Sequence, residues 1–187
     1  MPRRISIQPA GCLVADPPWE HDDQLPGGGR GASKHYKTMT LDEIKAFRLP
    51  RLADDCWLFL WRLHTHQQEA FEVAEAWGFG TRPCSELVWI KQTKDGKRVR
   101  RGMGWTFRMA HEVCLVFKRG KPQRFRADLS SEIHAPLGAH SEKPREFYER
   151  VDDLVGGVHR VELFARRQWK NWTCLGLEMP GHRKGAA

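Results

Sequence analysis

The tetrapeptide Asp16-Pro17-Pro18-Trp19 constrains this chain more than any other stretch of it. It follows a short apolar run, Cys12-Leu13-Val14-Ala15, which reads as a buried strand. Two consecutive prolines cannot donate to a sheet ladder, and they hold the chain extended. The tetrapeptide is therefore expected to leave the carboxyl end of a strand as a rigid loop, where open α/β sheets keep their ligands. There it offers a carboxylate, a proline carbonyl with no neighbouring amide donor, and an indole face. Those parts suit a planar ring that carries an amino group. Acceptors fixed on the N–H bonds raise the electron density of a poor nucleophile and aim its lone pair.

Further along, apolar runs alternate with segments of helical period. Gly27-Gly28-Gly29-Arg30-Gly31 is a flexible loop by composition. Thr40 and Glu43 form a capping box for a short helix over Leu41–Phe47. Cys56–Trp61 reads as a central strand. Thr65 and Gln68 make a second capping box, after which Ala70, Phe71, Ala74 and Trp77 recur at helical spacing until Gly78. Glu86–Ile90 is another strand. Residues 91–109 carry no apolar period and many Gly, Lys and Arg, and are expected to form a long surface loop, of the kind that is usually functional or disordered. Val113–Phe117 is a strand, and 118–136 is basic and irregular. Lys143–Val155 reads as a helix with Phe147, Val151 and Leu154 on one face. Val161–Ala165 and Trp172–Leu177 complete the strands.

Strands alternating with helices predict a three-layer α/β fold, with a mostly parallel central sheet and helices on both faces. Residues 1–179 read as a single domain and 180–187 as a disordered tail. No Gly-x-Gly-x-x-Gly occurs, so the standard nucleotide-binding fingerprint is missing.

Composition narrows the setting. The chain has 187 residues, 40% of them hydrophobic, enough for a core in one domain. No run of about 18 apolar residues is present, so no membrane span is expected. Met1-Pro2-Arg3-Arg4 lacks the apolar stretch of a signal peptide. Cys12, Cys56, Cys84, Cys114 and Cys174 are odd in number and none lies in Cys-x-x-Cys spacing, which points to reduced thiols in a cytoplasm. Cys12 reads as a small core residue, and Trp57, Trp61, Trp77 and Trp89 as core. His64 and His66 lack a third ligand at sensible spacing, so no metal site is expected.

The net charge of +8 suits a polyanionic partner. Lys91, Lys94, Lys97, Arg98, Arg100 and Arg101 crowd a segment whose only acid is Asp95. The loop from Lys91 to Arg108 is expected to contact a nucleic-acid backbone. Lys97, Arg98, Arg100 and Arg101 would meet phosphates, with Trp105 and Phe107 beside bases.

The Asp-Pro-Pro-aromatic pattern resembles the catalytic motif of enzymes that methylate adenine at N6 or cytosine at N4 with S-adenosylmethionine. From about Leu13 to Glu178 the chain is similar to the MTA-seventy family of adenine-N6 methyltransferases. The matching pieces come in the family's order. Asp16–Trp19 comes first, then Tyr36-Lys37-Thr38-Met39. Leu58–Trp61 and Val88–Lys91 follow as strands, and Glu112 opens a third. His140-Ser141-Glu142-Lys143-Pro144 and Glu162–Arg166 are the two cofactor-side segments. The resemblance implies a methyltransferase Rossmann-like fold in permuted order, with the catalytic motif before the cofactor-binding strand. That accounts for the missing fingerprint, since Ala165 is followed by Arg166-Arg167-Gln168-Trp169.

The resemblance also implies roles. Asp16 and the Pro17 carbonyl, on the turn completed by Pro18, would orient the target amine, with Trp19 and Tyr36 packed on its ring. Asp16 would also meet the amino group of S-adenosylmethionine. Lys143, in a Ser-x-Lys-Pro context with Ser141, would hold the cofactor carboxylate. Glu162 would face the ribose hydroxyls, and Arg166 and Asn171 are ribose or carboxylate contacts. The family's Gly-Asn-Gln or Gly-Asn-Glu is Gly176-Leu177-Glu178 here, so an amide is lost and Asn171 is the candidate to replace it.

The function implied is methylation of adenine N6 in nucleic acid by direct in-line transfer, with the methyl about 3–3.5 Å from the nitrogen and the base brought out of its stack. DNA is preferred as substrate, in the cytoplasm of a prokaryotic cell or phage-infected host, with no membrane partner. Methylation of RNA, and a catalytically inactive nucleic-acid-binding partner subunit, are the alternatives. Oligomeric state is not legible in these residues.

Overall fold

The computed structural model describes residues 8–20, 38–102, 106–138 and 142–176. Its strands are β1 (Ala10–Ala15), β2 (Leu52–Arg62), β3 (Ser85–Gln92), β4 (His111–Arg119), β5 (Glu132–Pro136), β6 (Arg160–Leu163) and β7 (Thr173–Leu175). Three helices, α1 (Leu41–Lys45), α2 (Gln67–Ala76) and α3 (Arg145–Val155), lie between them in the chain. The strands form one seven-stranded sheet in the order β5-β3-β4-β2-β1-β6-β7. Every pairing is parallel except the two that β4 makes, with β2 and β3.

Alternation along the strands sorts the core into two halves. Leu13, Leu58, Leu60, Leu115, Phe117 and Leu163 point to the face covered by α1 and α2, against Ile44, Ala70, Val73 and Trp77. Cys12, Val14, Phe59, Trp61, Trp89 and Cys114 point to the face covered by α3, against Phe147, Tyr148, Val151 and Val155. Central strands buried on both faces read as continuous apolar runs, which is why β1 and β2 stand out in the sequence. The expected three-layer α/β fold is therefore the observed one.

The capping box at α1 is formed. Glu43 N–H donates to Thr40 Oγ1 at 3.2 Å, and Thr40 N–H donates to Glu43 Oε2 at 2.8 Å. The box expected at α2 is not. That helix starts one residue later, with His66 as N-cap and no side-chain cap, and Thr65 Oγ1 bonds His66 Nδ1 at 2.8 Å instead. Gly78, at φ +83°, ends α2 as expected.

Other boundaries shift for physical reasons. α3 begins at Arg145, because Pro144 disfavours helical backbone at the residue before it. Lys143 is thus outside the helix. β6 stops at Leu163 because Phe164 takes φ +58°, which no strand holds. Lys91 and Gln92 belong to β3 rather than to the following loop, whose base is laddered by Lys91 N–H to the Ala110 carbonyl at 2.9 Å and by a Gln92–Val99 bridge. Within 118–136, expected to be irregular, lies β5. Its signal is only Ile133 and Ala135 alternating with exposed neighbours at the sheet edge.

No described helix is long and apolar enough to cross a membrane. The expected tail 180–187 and the glycine-rich loop 27–31 lie outside the described residues.

Candidate functional site

The chain leaves β1 toward β2 on one side through α1 on one face, and returns to β6 on the other side from α3 on the opposite face. Such a reversal of strand order opens a crevice at the carboxyl ends of the strands. Ala15 is level with Leu60 of β2 and Leu163 of β6, so Asp16 is the first residue past the edge.

The Asp-Pro-Pro-Trp loop is held tightly. Trp19 N–H donates to the Pro17 carbonyl at 2.8 Å, closing a three-residue turn centred on Pro18, whose ring already fixes a suitable φ. Met39 N–H donates to the Pro18 carbonyl at 2.9 Å. The Pro17 carbonyl, expected to lack an amide neighbour, therefore has one. The open indole face expected at Trp19 is also not found. Its side chain is 4% exposed, lies in the core on the α1–α2 side, and donates from Nε1 to the Trp61 carbonyl at 3.1 Å.

Because β4 runs against its neighbours, its first residues arrive at the same end of the sheet as Asp16. A chain of alternating charge results. Lys91 Nζ lies 2.7 Å from Glu112 Oε1, Glu112 Oε2 lies 3.2 Å from Lys143 Nζ, and Lys143 Nζ lies 2.8 Å from Asp16 Oδ2. Lys143 Nζ also stands 4.9 Å from the centre of the Trp61 ring, which forms its floor. Burial raises the Glu112 carboxyl, but Lys143 and Lys91 outweigh it and bring its pKa down to about 2. Burial likewise lowers Lys143, but Asp16 and Glu112 outweigh it and hold its pKa above the usual lysine value.

Asp16 and Lys143 are legible as site residues in the sequence, whereas Glu112 and Lys91 appear there only as a strand start and as a strand end that opens a cationic loop. Only the antiparallel course of β4 brings Glu112 between the two lysines.

Beside this chain stands a second group. Glu162, near the end of β6 and 5% exposed, accepts from Tyr148 Oη at 2.7 Å on Oε1 and from Cys174 Sγ at 3.8 Å on Oε2. Burial pushes its carboxyl up to about 7 despite the Tyr148 hydrogen bond. Glu162 was expected to face ribose hydroxyls; here both oxygens meet protein donors. Burial and the Glu162 charge push the Tyr148 phenol well above its usual range.

The loop after β6 crosses above. Arg166 is half-buried on it, and Asn171 is exposed at its far end with φ +64°. Arg167, which sequence reasoning passed over, pairs with Glu142, bonds the Lys143 carbonyl at 3.4 Å and lies 4.0 Å from the Trp169 ring centre. It thereby ties this loop to the Lys143 segment. Gly176 passes so close to the Ala165 backbone that any Cβ would collide with the carbonyl oxygen there. Left-handed φ at Phe164, costly for a bulky residue, marks the start of the loop.

Of the remaining expected site residues, Tyr36, Ser141 and Trp105 lie outside the described residues, as does Leu177. Lys97, Arg98, Arg100 and Arg101 are exposed on the loop between β3 and β4. Asp95, the acid among them, accepts from Thr93 Oγ1 at 2.5 Å and Lys97 N–H at 3.2 Å, so it shapes the turn and neutralises none of the four.

Residues 10–178 match the MT-A70 family model, the MTA-seventy family to which the motifs pointed. The chain is 32% identical over 173 residues to the N(6)-adenosine-methyltransferase subunit METTL3 of Danio rerio, covering 90% of this chain and 28% of that protein. The catalytic subunit METTL3 of Homo sapiens matches with the same identity and coverage. The Type II methyltransferase M.MunI of Mycoplasma sp. is 28% identical over 190 residues, covering 91% of this chain and 78% of that protein. The chain thus spans little more than a quarter of the length of its METTL3 relatives, 28%.

Proposed function

The chain belongs to the MT-A70 family, and on that premise we propose that it transfers a methyl group from S-adenosylmethionine to the N6 amino group of adenine in DNA. The observation that carries this reading is the Asp16–Lys143 pair at the carboxyl end of β1. An amino acid presents an ammonium beside a carboxylate, and this pair presents the complement, ready to exchange its internal contact for charge-assisted bonds to both groups. Trp61 Nε1, on the ring beneath Lys143, and Arg167 Nε are buried donors with no acceptor among the described residues. They leave room for further oxygen or nitrogen acceptors.

These residues fit S-adenosylmethionine. Lys143 would hold its carboxylate, Asp16 its amino group, and the loop after β6, through Arg166 and Asn171, its ribose. When bound, it supplies a methyl group on positively charged sulfur. The protein's own share is positioning. Asp16 accepts an N–H bond of the adenine amine and aims the nitrogen lone pair. Lys143, itself fixed by Glu112, sets where the Asp16 carboxylate stands. Asp16 or water takes the surplus proton. The two prolines keep the loop from moving away as the base enters from its stack. DNA is favoured because M.MunI, covered over 78% of its length, is named a Type II methyltransferase.

Incubation with S-adenosylmethionine and adenine-containing DNA or RNA, followed by digestion and mass spectrometry of the nucleosides, tests the reading. N6-methyladenine from DNA is the expected product. Transfer to RNA alone would move the substrate to RNA. N4-methylcytosine would overturn the adenine assignment, and no transfer at all would leave a nucleic-acid-binding partner subunit.

A further inference from the structure

At the end of the sheet opposite Asp16, on the α3 side, lies a cavity of about 530 Å³. Its floor is apolar, from Trp57 and Phe59 of β2, Leu87 of β3 and Val116 of β4. On β2 this floor runs from Phe59 to Trp57, about 7 to 13 Å along the strand from Trp61, and neither Asp16, Trp61, Glu112 nor Lys143 lines it. The cavity is therefore separate from the site described above. Its rim carries Lys118, Lys121, Arg124, Arg126 and Arg150, and among the described residues no acidic side chain lines it.

Arg126 is neutralised by Asp153 at 2.9 Å and Asp128 at 3.3 Å, and Arg150 bonds the Ser130 carbonyl. The Lys121 backbone N–H donates to Asp55 Oδ1 at 2.7 Å. The side chains of Lys118, Lys121 and Arg124 are exposed and have no ion-pair partner among the described residues. Next to Arg124 in the chain, and outside the cavity lining, Phe125 is 56% exposed. Its backbone N–H donates to the Leu154 carbonyl at 2.9 Å, and its ring lies so close to Gly156 that a Cβ there would collide with it. A large aromatic ring is thus pinned in the open, between two arginines in sequence.

Cations spread along a rim do not cradle one phosphate; they follow a row of them. A fixed, exposed ring adjoining such cations in the chain is a stacking platform that accepts any base. A free nucleotide fits less well, because the indole in the floor is 6% exposed and its Nε1 is already bound to the Gln123 carbonyl at 3.2 Å. We propose that this face is a second nucleic-acid contact, which holds an unpaired stretch of the strand through Lys118, Lys121 and Arg124 on phosphates and Phe125 on a base. It rests on the reading of the chain as a nucleic-acid methyltransferase, and extends the substrate footprint well beyond the catalytic crevice.

The test compares the full chain with two variants, Lys118→Ser/Lys121→Ser/Arg124→Ser and Phe125→Ala. Melting curves check folding, which exposed side chains should not disturb. Fluorescence anisotropy with a single-stranded oligonucleotide, over a series of salt concentrations, is the readout. The triple variant should lose about 2 units of slope in log affinity against log salt, at about 0.7 per contact. Phe125→Ala should bind about tenfold more weakly with its slope unchanged. Transfer to a short oligonucleotide confined to the catalytic crevice should be unaltered in both. Wild-type affinity and slope in the triple variant would overturn the proposal, and so would unaltered binding by Phe125→Ala. Inorganic tripolyphosphate is a control probe. If the triple mutation abolished its binding while oligonucleotide binding stayed intact, the cavity would be a small-anion site and the proposal would fail. A wild-type chain that methylates no nucleic acid would overturn the functional reading instead, and the binding comparison would still decide this one.

Discussion

Asp16 and Lys143, 127 residues apart in the chain, meet at 2.8 Å with side-chain exposures of 21% and 10%. Lys143 is shared, since Glu112 reaches the same ammonium at 3.2 Å. One buried cation held by two carboxylates is hard to disturb from any side, because each removal leaves a charge uncompensated. The Asp16-Pro17-Pro18-Trp19 loop is therefore placed by electrostatics as well as by its prolines.

Asp16→Ala should cut methyl transfer by about 10²–10³ or more, the usual loss when an electrostatic contact at the reacting centre is removed. Circular dichroism should show the fold retained. A variant that methylates at close to the wild-type rate would remove Asp16 from the reaction.

Lys143→Ala should weaken S-adenosylmethionine binding by about 2–3 kcal/mol. It should also destabilise the unliganded protein by about 1–3 kcal/mol, less than a fully buried pair would lose, since Asp16 and Glu112 would lose the cation between them but are partly open to solvent. Titration calorimetry reads the first effect and denaturant unfolding the second. An unchanged dissociation constant together with lost stability would make Lys143 a purely structural cation.

Two carboxyls, the buried Glu162 and the half-buried Glu112, should give stability opposite dependences on pH. Glu162 has a folded pKa raised from 4.5 to about 7. The unfolded chain releases that proton first, so stability falls as pH rises from about 4.5 to about 7, by about 3 kcal/mol. Glu162→Gln should flatten this decline and stabilise the protein at pH above about 7. Glu112 has a folded pKa lowered from 4.5 to about 2. Its contribution is present above about 4.5 and is lost as pH falls toward about 2. Melting temperatures of wild type and Glu162→Gln across this range decide; parallel curves between about 4.5 and 7 would show that Glu162 is not held protonated.

Replacing Lys97, Arg98, Arg100 and Arg101 with serine should weaken nucleic-acid binding for all sequences alike. It should flatten the salt slope by about 3 units, at about 0.7–0.9 per phosphate contact. Cofactor affinity should not change. Lys91 is left out of this set because it is spent on Glu112. Retention of both affinity and slope would make the loop ordinary solvated surface.

Local chemistry made much of this protein legible in one dimension. Continuous apolar runs at Cys12–Ala15 and Cys56–Trp61 report burial on both faces, and Thr40 with Glu43 reports a helix start, because each signal lies within a few residues. The Asp-Pro-Pro-Trp loop at a strand end is equally local, since proline acts on its immediate neighbours. Pairings between distant segments are not. Glu112 enters the site only because β4 runs antiparallel between β2 and β3, a choice made by sheet assembly and written in no single segment. Trp19 looks like an open ring in the sequence, yet the core beside Trp61 claims it, since burying a large aromatic and satisfying its N–H outweighs leaving it in the crevice. Tertiary contact likewise decided that Thr65 would bond His66, that an edge strand would form from Ile133 and Ala135, and that the cations of 118–126 would ring a cavity rather than disperse into solvent.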